Sequence, residues 1–147
     1  MGRVNASVTW VELRIYSESI PASQITEILG LLPSETVVKG ERTGPRHAGF
    51  PSHGWFLSSE EQALPKNAGA HLDWTLDRLL EIRERYEALI ATGDVTVSLC
   101  LFWWASEGSG PTIGAIQASK IVDLEIDLDI QFQRMEAEAR DAEGFNA

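Results

Sequence analysis

The sequence predicts an α+β fold, a ferredoxin-like antiparallel or mixed β-sheet with helices packed on one face. Four segments alternate apolar and polar residues with the period of two that is typical of half-buried strands. Between them lie segments whose apolar residues recur at helical spacing. At 147 residues the chain suits a single domain, with a core over about residues 8–132 and a polar C-terminal tail at 133–147.

The first predicted strand covers residues 7–16 and alternates throughout. One side of it carries the apolar set that would face a core, which is Thr9, Val11, Leu13 and Ile15. A short helix follows, because Pro21 suits a first helical turn and apolar residues then recur at helical spacing.

The middle of the chain contains the clearest helix, predicted over residues 70–92 and ended by Gly93. A short strand at 35–38 precedes it, followed by an irregular stretch at 39–54 and a second alternating strand at 55–59.

The last third begins with a long alternating strand over residues 94–104. A turn then leads into a hairpin-like extension, with a short strand at 112–116 and one or two helical turns at 117–122. The final strand, at 124–132, is expected to be half-buried. Its outer side is an acidic row made of Glu125, Asp127 and Asp129.

The apolar sides of these segments define the predicted core. Its members are Leu13, Ile15, Trp55, Leu57, Leu76, Leu79, Val97, Leu99, Leu101, Ile126 and Leu128.

The formal net charge is −10, and the whole excess lies in residues 56–147, since residues 1–55 carry equal numbers of basic and acidic groups. This balance argues against a nucleic-acid partner, which requires clustered Lys and Arg. The asymmetry of charge suggests an acidic face that would attract a basic partner, or the acidic excess serves solubility alone. The longest apolar run, residues 99–105, is too short to span a membrane. We therefore expect a soluble cytoplasmic protein.

Four short motifs occur in order along the chain: Leu-Gly-Leu-x-Pro at 29–33, Lys-Gly-Glu at 39–41, Gly-Trp-x-Leu-Ser-Ser at 54–59 and His-Leu at 71–72. Together they resemble an uncharacterised bacterial family, domain of unknown function 4279. The resemblance covers about residues 8–132. It implies an α+β domain with no assigned activity, and it brings no catalytic residues.

The irregular stretch at 39–54, the basic loop, is the best candidate for binding an anion or another small ligand. Its glycines let backbone N–H groups approach a ligand, and its cations could pair with a carboxylate or phosphate. The alternative is a surface loop that neutralises the chain's own acidic face. The candidate residues are Lys39, Arg42, Arg46, His47 and His53.

No pattern in the sequence indicates catalysis, a metal or a cofactor. The three histidines, His47, His53 and His71, lack ligand spacing, and exposed histidines explain them equally well. Cys100 lies within a strand and is expected to be a small, largely buried residue. Ser58 and Ser59 are not part of a nucleophile elbow.

Large aromatic residues collect on the outer side of the predicted sheet, away from the helices. Such a face requires covering by a second subunit, a partner, a ligand or the C-terminal segment. The interface candidates are Trp10, Tyr16, Phe56, Phe102 and Trp104.

The sequence therefore favours a non-catalytic ligand- or protein-binding domain that self-associates, most simply as a homodimer. One alternative is an acidic immunity-type inhibitor of a basic toxin. Another is an enzyme of unknown type that uses residues 39–55.

Overall fold

A computed structural model of the chain describes residues 5–106 and 109–134. These residues form a five-stranded mixed sheet and four helices, which confirms the α+β class. The ferredoxin-like assignment stays a prediction. In chain order the elements are β1 (Val8–Ser17), α1 (Ala22–Leu29), β2 (Glu35–Val37), β3 (His53–Ser58), α2 (Ala68–Glu81), α3 (Arg83–Ala91), β4 (Thr96–Ala105), α4 (Ala115–Asp123) and β5 (Asp127–Arg134).

The strands lie in the order β2-β3-β1-β4-β5, so β1 is the central strand. It pairs antiparallel with β3 on one side, where Ile15 is opposite Trp55, and with β4 on the other, where Ile15 is opposite Val97. β2 also pairs antiparallel with β3.

β5 pairs parallel with β4, so the predicted hairpin-like extension is wrong. Parallel neighbours require a crossover connection, and α4 supplies it. The predicted strand at 112–116 is also wrong, since residues 115 and 116 begin α4. β5 starts only at Asp127, because Glu125 has a positive φ of 54° in the turn that follows α4.

The long helix predicted at 70–92 is two helices, α2 and α3, that meet at Ile82. Ile82 has φ −117° and ψ 32°, outside the helical region, and it ends one helix and begins the next. α2 starts at a capped end, where the Asn67 side chain accepts a hydrogen bond from the Ala70 N–H at 2.9 Å. The change of direction lets α3 pack against α1.

The helices cover one face of the sheet, and the core lies between them. Every predicted core residue is buried except Val97 and Leu128, which are half-buried against it. Trp55 and Trp103 are fully enclosed, and each indole N–H has a partner: Trp55 donates to Thr26 Oγ1 and Trp103 donates to the Ser109 carbonyl. Large apolar groups and satisfied polar atoms therefore share the same interior.

The final strand departs from the predicted half-buried pattern. Leu124 and Ile126 are buried, but Ile130 is 38% exposed and Phe132 is 64% exposed. The described helices do not extend over this end of the sheet. The predicted tail at 133–147 begins inside β5 and otherwise lies outside the described residues.

Replacing Leu99 with Ala should lower the free energy of unfolding by about 2–5 kcal/mol. Leu99 is fully buried in β4, between Leu13 of β1 and Leu128 of β5. Urea denaturation would measure the change. Val97→Ala, at a half-buried position of the same strand, should cost less, and equal losses would contradict this description of the core.

Candidate functional site

The face of the sheet opposite the helices, the open face, holds all five predicted interface aromatics. The strand registers place Trp10 and Tyr16 of β1 beside Phe102 and Trp104 of β4 and Phe56 of β3. Each of the five side chains is half-buried, although no described helix covers this face. The period of two in β1, β3 and β4 is sufficient to predict this placement.

These aromatics are half-buried because they cover one another in two groups. Trp10 stacks on Phe102 with ring centroids 4.5 Å apart, and Trp104 meets Trp10 edge-on at 5.1 Å. Tyr16 and Phe56 form a second edge-on pair at 5.6 Å. Such contacts between neighbouring strands stabilise the sheet and leave ring surface available to a partner.

Arg14 lies between the two aromatic groups. Its Nε donates a hydrogen bond to Glu12 Oε1 at 2.7 Å, and its guanidinium lies 5.6 Å from the ring centroid of Phe102. Desolvation acts to lower the pKa of Arg14, but the hydrogen bond to Glu12 and nearby negative charges outweigh it, so the pKa is raised. Arg14 therefore stays charged and is held in place.

Cys100 also faces the open side, where the registers place it between Glu12 and Asp129. It is 1% exposed, as the sequence predicted for a small buried residue. Burial raises the pKa of the thiol, and the charges of Glu12 and Asp129 add to this, while Arg14 opposes it. The thiol stays protonated and is a poor nucleophile.

Carboxylates surround the aromatics. Asp127 and Asp129 of the predicted acidic row lie on the open face, whereas Glu125 lies in the turn before β5. On the far side, beside Phe56, a cleft of about 260 Å³ is lined by four carboxylates. They belong to Glu12, Glu35, Glu60 and Glu61. The open face thus combines apolar ring surface with negative charge.

The basic loop is organised largely by hydrogen bonds within itself. Arg42 donates to two of the loop's own carbonyls, those of His47 and Pro45. The Nδ1 atom of His47 accepts from the Gly49 N–H at 3.2 Å. Gly49 has a φ of 100°, and a Cβ there would lie 2.9 Å from the Gly40 carbonyl oxygen, so only glycine fits this turn.

The three cations of the loop have different surroundings. Arg42 is exposed but is held by carbonyls of its own loop, and the Lys39 ammonium lies 3.9 Å from a Glu18 carboxylate oxygen. His53 accepts a hydrogen bond from the Lys39 N–H through Nδ1. Arg46 is exposed and makes no hydrogen bond or ion pair with the described residues. Arg46 is therefore the best placed of the three for an external anion.

A buried polar pair that sequence reasoning missed joins the end of β3 to α2. The Ser59 hydroxyl and His71 Nδ1 are 2.7 Å apart, and these residues are 0% and 3% exposed. Ser59 also accepts from the Val11 N–H and donates its own N–H to the Val11 carbonyl. The interpretation of His71 as an exposed histidine is wrong, and its helical spacing with Thr75 and the α2 leucines is the signal that could have placed it on the buried face.

Burial lowers the pKa of His71 below its ordinary value, although a hydrogen bond with the Pro65 carbonyl acts to raise it. The Nδ1 atom of the neutral ring can accept a hydrogen bond from the Ser59 hydroxyl. A serine beside a histidine resembles a nucleophile and its base, but these two are sealed from solvent. Their geometry serves to connect β1, β3 and α2.

Neither a metal site nor a membrane-spanning helix is found in the part of the chain that the structure describes. The described residues contain no group of three or more His, Cys, Asp or Glu side chains that could hold a metal ion. Among the described helices, none combines the length and the apolar character needed to cross a membrane.

A family model described as "Domain of unknown function (DUF4279)" matches residues 6–134. No curated protein and no solved structure matches the chain. Three of the residues that carry the family resemblance have structural roles here: Gly30 ends α1 in the left-handed conformation, and Trp55 and Ser59 are buried.

Arg42→Ala should loosen the basic loop, whereas Arg46→Ala should leave it intact, because only Arg42 donates to loop carbonyls. Limited proteolysis would detect the difference as faster cleavage within residues 39–54. Equal protease sensitivity of the two variants would contradict the structural role of Arg42.

If Arg46 binds anions, phosphate should raise the unfolding temperature of wild type but not of Arg46→Ala.

Because His71 is buried, the free energy of unfolding should fall as the pH drops below about 6.5. Its pKa is lowered in the folded protein, so the unfolded chain takes up a proton at pH values where the folded one does not. Protonation therefore favours unfolding from about pH 6.5 down to the folded pKa. Urea denaturation between pH 7.5 and 5.5 would measure this loss.

His71→Gln should remove that part of the pH dependence, at a cost of about 1–3 kcal/mol at pH 7.5 for disturbing a buried hydrogen bond. His53→Gln, in the partly exposed basic loop, is the matched control and should keep it. A pH dependence that is unchanged in the His71 variant would show that another group is responsible.

Proposed function

We propose that this chain, which belongs to the DUF4279 family over residues 6–134, is a non-catalytic binding domain that self-associates. Its binding surface is the open face, and its partner is a protein segment that offers positive charge and apolar groups. The observation that carries the proposal is a sheet face that bears five large aromatic side chains and that none of the described helices covers.

The aromatic groups suit a protein partner. Aromatic residues are enriched at protein interfaces because they supply large contact area at a low cost in conformational entropy. Trp10, Phe102 and Trp104 already fix one another's orientation through ring contacts. A partner therefore meets a preorganised surface, which reduces the entropic cost of binding.

The charge of the surface favours a basic partner. Arg14 is the one cation that the β1, β3 and β4 registers place on this face, and it is paired with Glu12. Asp127, Asp129 and Glu35 add negative charge around the rings. An incoming Arg side chain could stack on an exposed ring and approach a carboxylate at the same time.

The surroundings of the groups that could perform catalysis favour a binding role instead. Burial keeps Cys100 as a thiol, and the Ser59–His71 pair is enclosed in the core. In the basic loop, which an enzyme of the alternative kind would use, Arg42 is engaged by loop carbonyls. A cytoplasmic location is part of the same proposal, since a single free cysteine suits a reducing compartment.

The second candidate, an acidic immunity-type inhibitor of a basic toxin, is favoured by the carboxylate-lined cleft beside Phe56. It would be a special case in which the partner is a toxin. Electrostatic steering would then dominate, so the association rate with the basic partner would fall steeply as salt is added.

A synthetic hexapeptide of alternating Arg and Trp should bind the protein, and a Glu/Trp hexapeptide should not. Trp10→Ala should weaken binding of the Arg/Trp peptide at least tenfold, because Trp10 contacts both other rings of its group. Isothermal titration calorimetry would measure the affinities, and thermal unfolding would verify that the variant is folded.

Leu32→Ala is the control, since Leu32 is 78% exposed and lies outside the sheet. It should bind the peptide as wild type does. Equal affinity for the two peptides, or unchanged binding by a folded Trp10→Ala variant, would overturn the open face as the binding surface.

A further inference from the structure

A cleft on the helix side of the sheet lies between α3, the start of β4 and the turn that precedes β5. It exists because the break at Ile82 directs α3 mainly against α1, which leaves a gap between α3 and the start of β4. The volume of the cleft is about 480 Å³, within the range of about 300–1,000 Å³ that small-molecule sites occupy.

Part of the wall of this cleft is aliphatic. Ile90 of α3 lines it and is 41% exposed, an unusual position for a large apolar side chain. Val95 and Val97 line it from the side of β4 and are half-buried. Covering this surface would remove apolar area from water, so it is suited to the apolar body of a small organic ligand.

Tyr86 of α3 adds a hydroxyl group to the same cleft. The residue is 3% exposed, yet its hydroxyl makes no hydrogen bond with the residues that the structure describes. Buried hydroxyls normally have such a partner. Among the described residues no side-chain polar atom is both sealed from solvent and without a partner, so the Tyr86 oxygen must be reached through the cleft. It is therefore free to bind a ligand there.

Glu125 is the second polar group of the cleft that has capacity for a ligand. It is exposed in the turn before β5 and makes no ion pair with the described residues. Burial raises the pKa of Tyr86 to about 12, and the charge of Glu125 adds to this increase. The tyrosine therefore stays protonated, and a phenol and a carboxylate face the same cleft.

The charge around the cleft is negative. Asp123 and Glu87 also line it, and both are partnered by one guanidinium. Arg83 lies 2.6 Å from Asp123 Oδ1 and 3.5 Å from Glu87 Oε2. Among the described residues, three carboxylates thus share a single cation, and Glu125 is the carboxylate that this cation does not contact. Such a surface attracts a ligand that carries positive charge.

We infer that this cleft binds a small organic cation, a primary ammonium group attached to an apolar body. The ammonium donates hydrogen bonds to a carboxylate oxygen of Glu125 and to the Tyr86 oxygen. The apolar body lies against Ile90, Val95 and Val97. The open face is on the other side of the sheet, so this site is separate from the proposed binding surface, and the inference goes beyond the proposed function.

A free small molecule suits the cleft better than the C-terminal segment of the chain does. The described residues end at Arg134, which pairs with Ala105 at the opposite end of the sheet. That position is eight residues beyond Val97 along β4, or about 26 Å. Residues 135–147 carry four acidic groups and one basic group, and the carboxylates of the cleft would repel them.

NMR titration of the ¹⁵N-labelled full chain tests the class of ligand. Phenethylamine should bind with a dissociation constant of about 1 mM or lower and shift the amide signals of α3 and of residues 95–97 and 123–126. 2-Phenylethanol, which has the same body without the charge, should bind at least tenfold more weakly, and 3-phenylpropionate should not bind. Nα-acetyl-lysine amide presents the ammonium as a protein side chain does, and it should bind more weakly because its thin stem covers less of the aliphatic wall.

Three variants test the residues. Glu125→Gln keeps the size of the side chain and removes its charge, so it should weaken phenethylamine binding about tenfold. Tyr86→Phe removes only the hydroxyl and should weaken binding about threefold. Glu84→Gln, at an exposed position of α3 outside the cleft, is the matched control and should bind as wild type does. Thermal unfolding would verify that each variant is folded.

Several outcomes would overturn the inference. They are no binding of phenethylamine at about 10 mM, equal affinity for phenethylamine and 2-phenylethanol, and wild-type affinity in a folded Glu125→Gln variant. Tighter binding of the lysine amide than of phenethylamine would assign the cleft to a protein partner instead. Shifts confined to Trp10, Phe102 and Trp104 would place the amine on the open face, which would overturn this site and support the proposed function. Failure of the Arg/Trp hexapeptide, with phenethylamine bound in the cleft, would overturn the open face alone.

Discussion

The alternation of β1 determines which residues of this protein face the helices and which face the open side. β1 pairs with β3 and β4 together, so its register is transmitted to both neighbours. A slip of one residue would move Leu13 and Ile15 out of the core and bring Arg14 into it. The buried hydrogen bonds between Val11 and Ser59 oppose such a slip, and His71 holds Ser59 in place from α2.

The parts of the fold that could be predicted from sequence are those in which local periodicity is decisive. β1, α1, β4 and the core residues follow from periods of two or 3.6. The break at Ile82 could not be predicted, because neither Pro nor Gly marks it and packing of α3 on α1 decides it. The pairing of β5 also depends on nonlocal contacts, since the same alternating segment suits a hairpin or a crossover.

The residues of the candidate site also fall into those that could be predicted from the sequence and those that could not. Strand geometry fixes side-chain direction, so the open-face aromatics could be grouped before their distances were known. The basic loop follows no such rule: both arginines are exposed, but hydrogen bonds to loop carbonyls hold Arg42, whereas Arg46 makes none with the described residues. His71 was harder still, because a histidine on an apolar helix face gives no sign of its partner until β3 is in position.

The pairing of Val8 with Trp104 also affects the protein during its synthesis. β1 is made first, but one of its two neighbours is available only after residue 104 has left the ribosome. At about 5–20 residues per second, the central strand waits about 5–20 s for β4. During that interval the aromatic and aliphatic residues of β1 are accessible to other nascent chains.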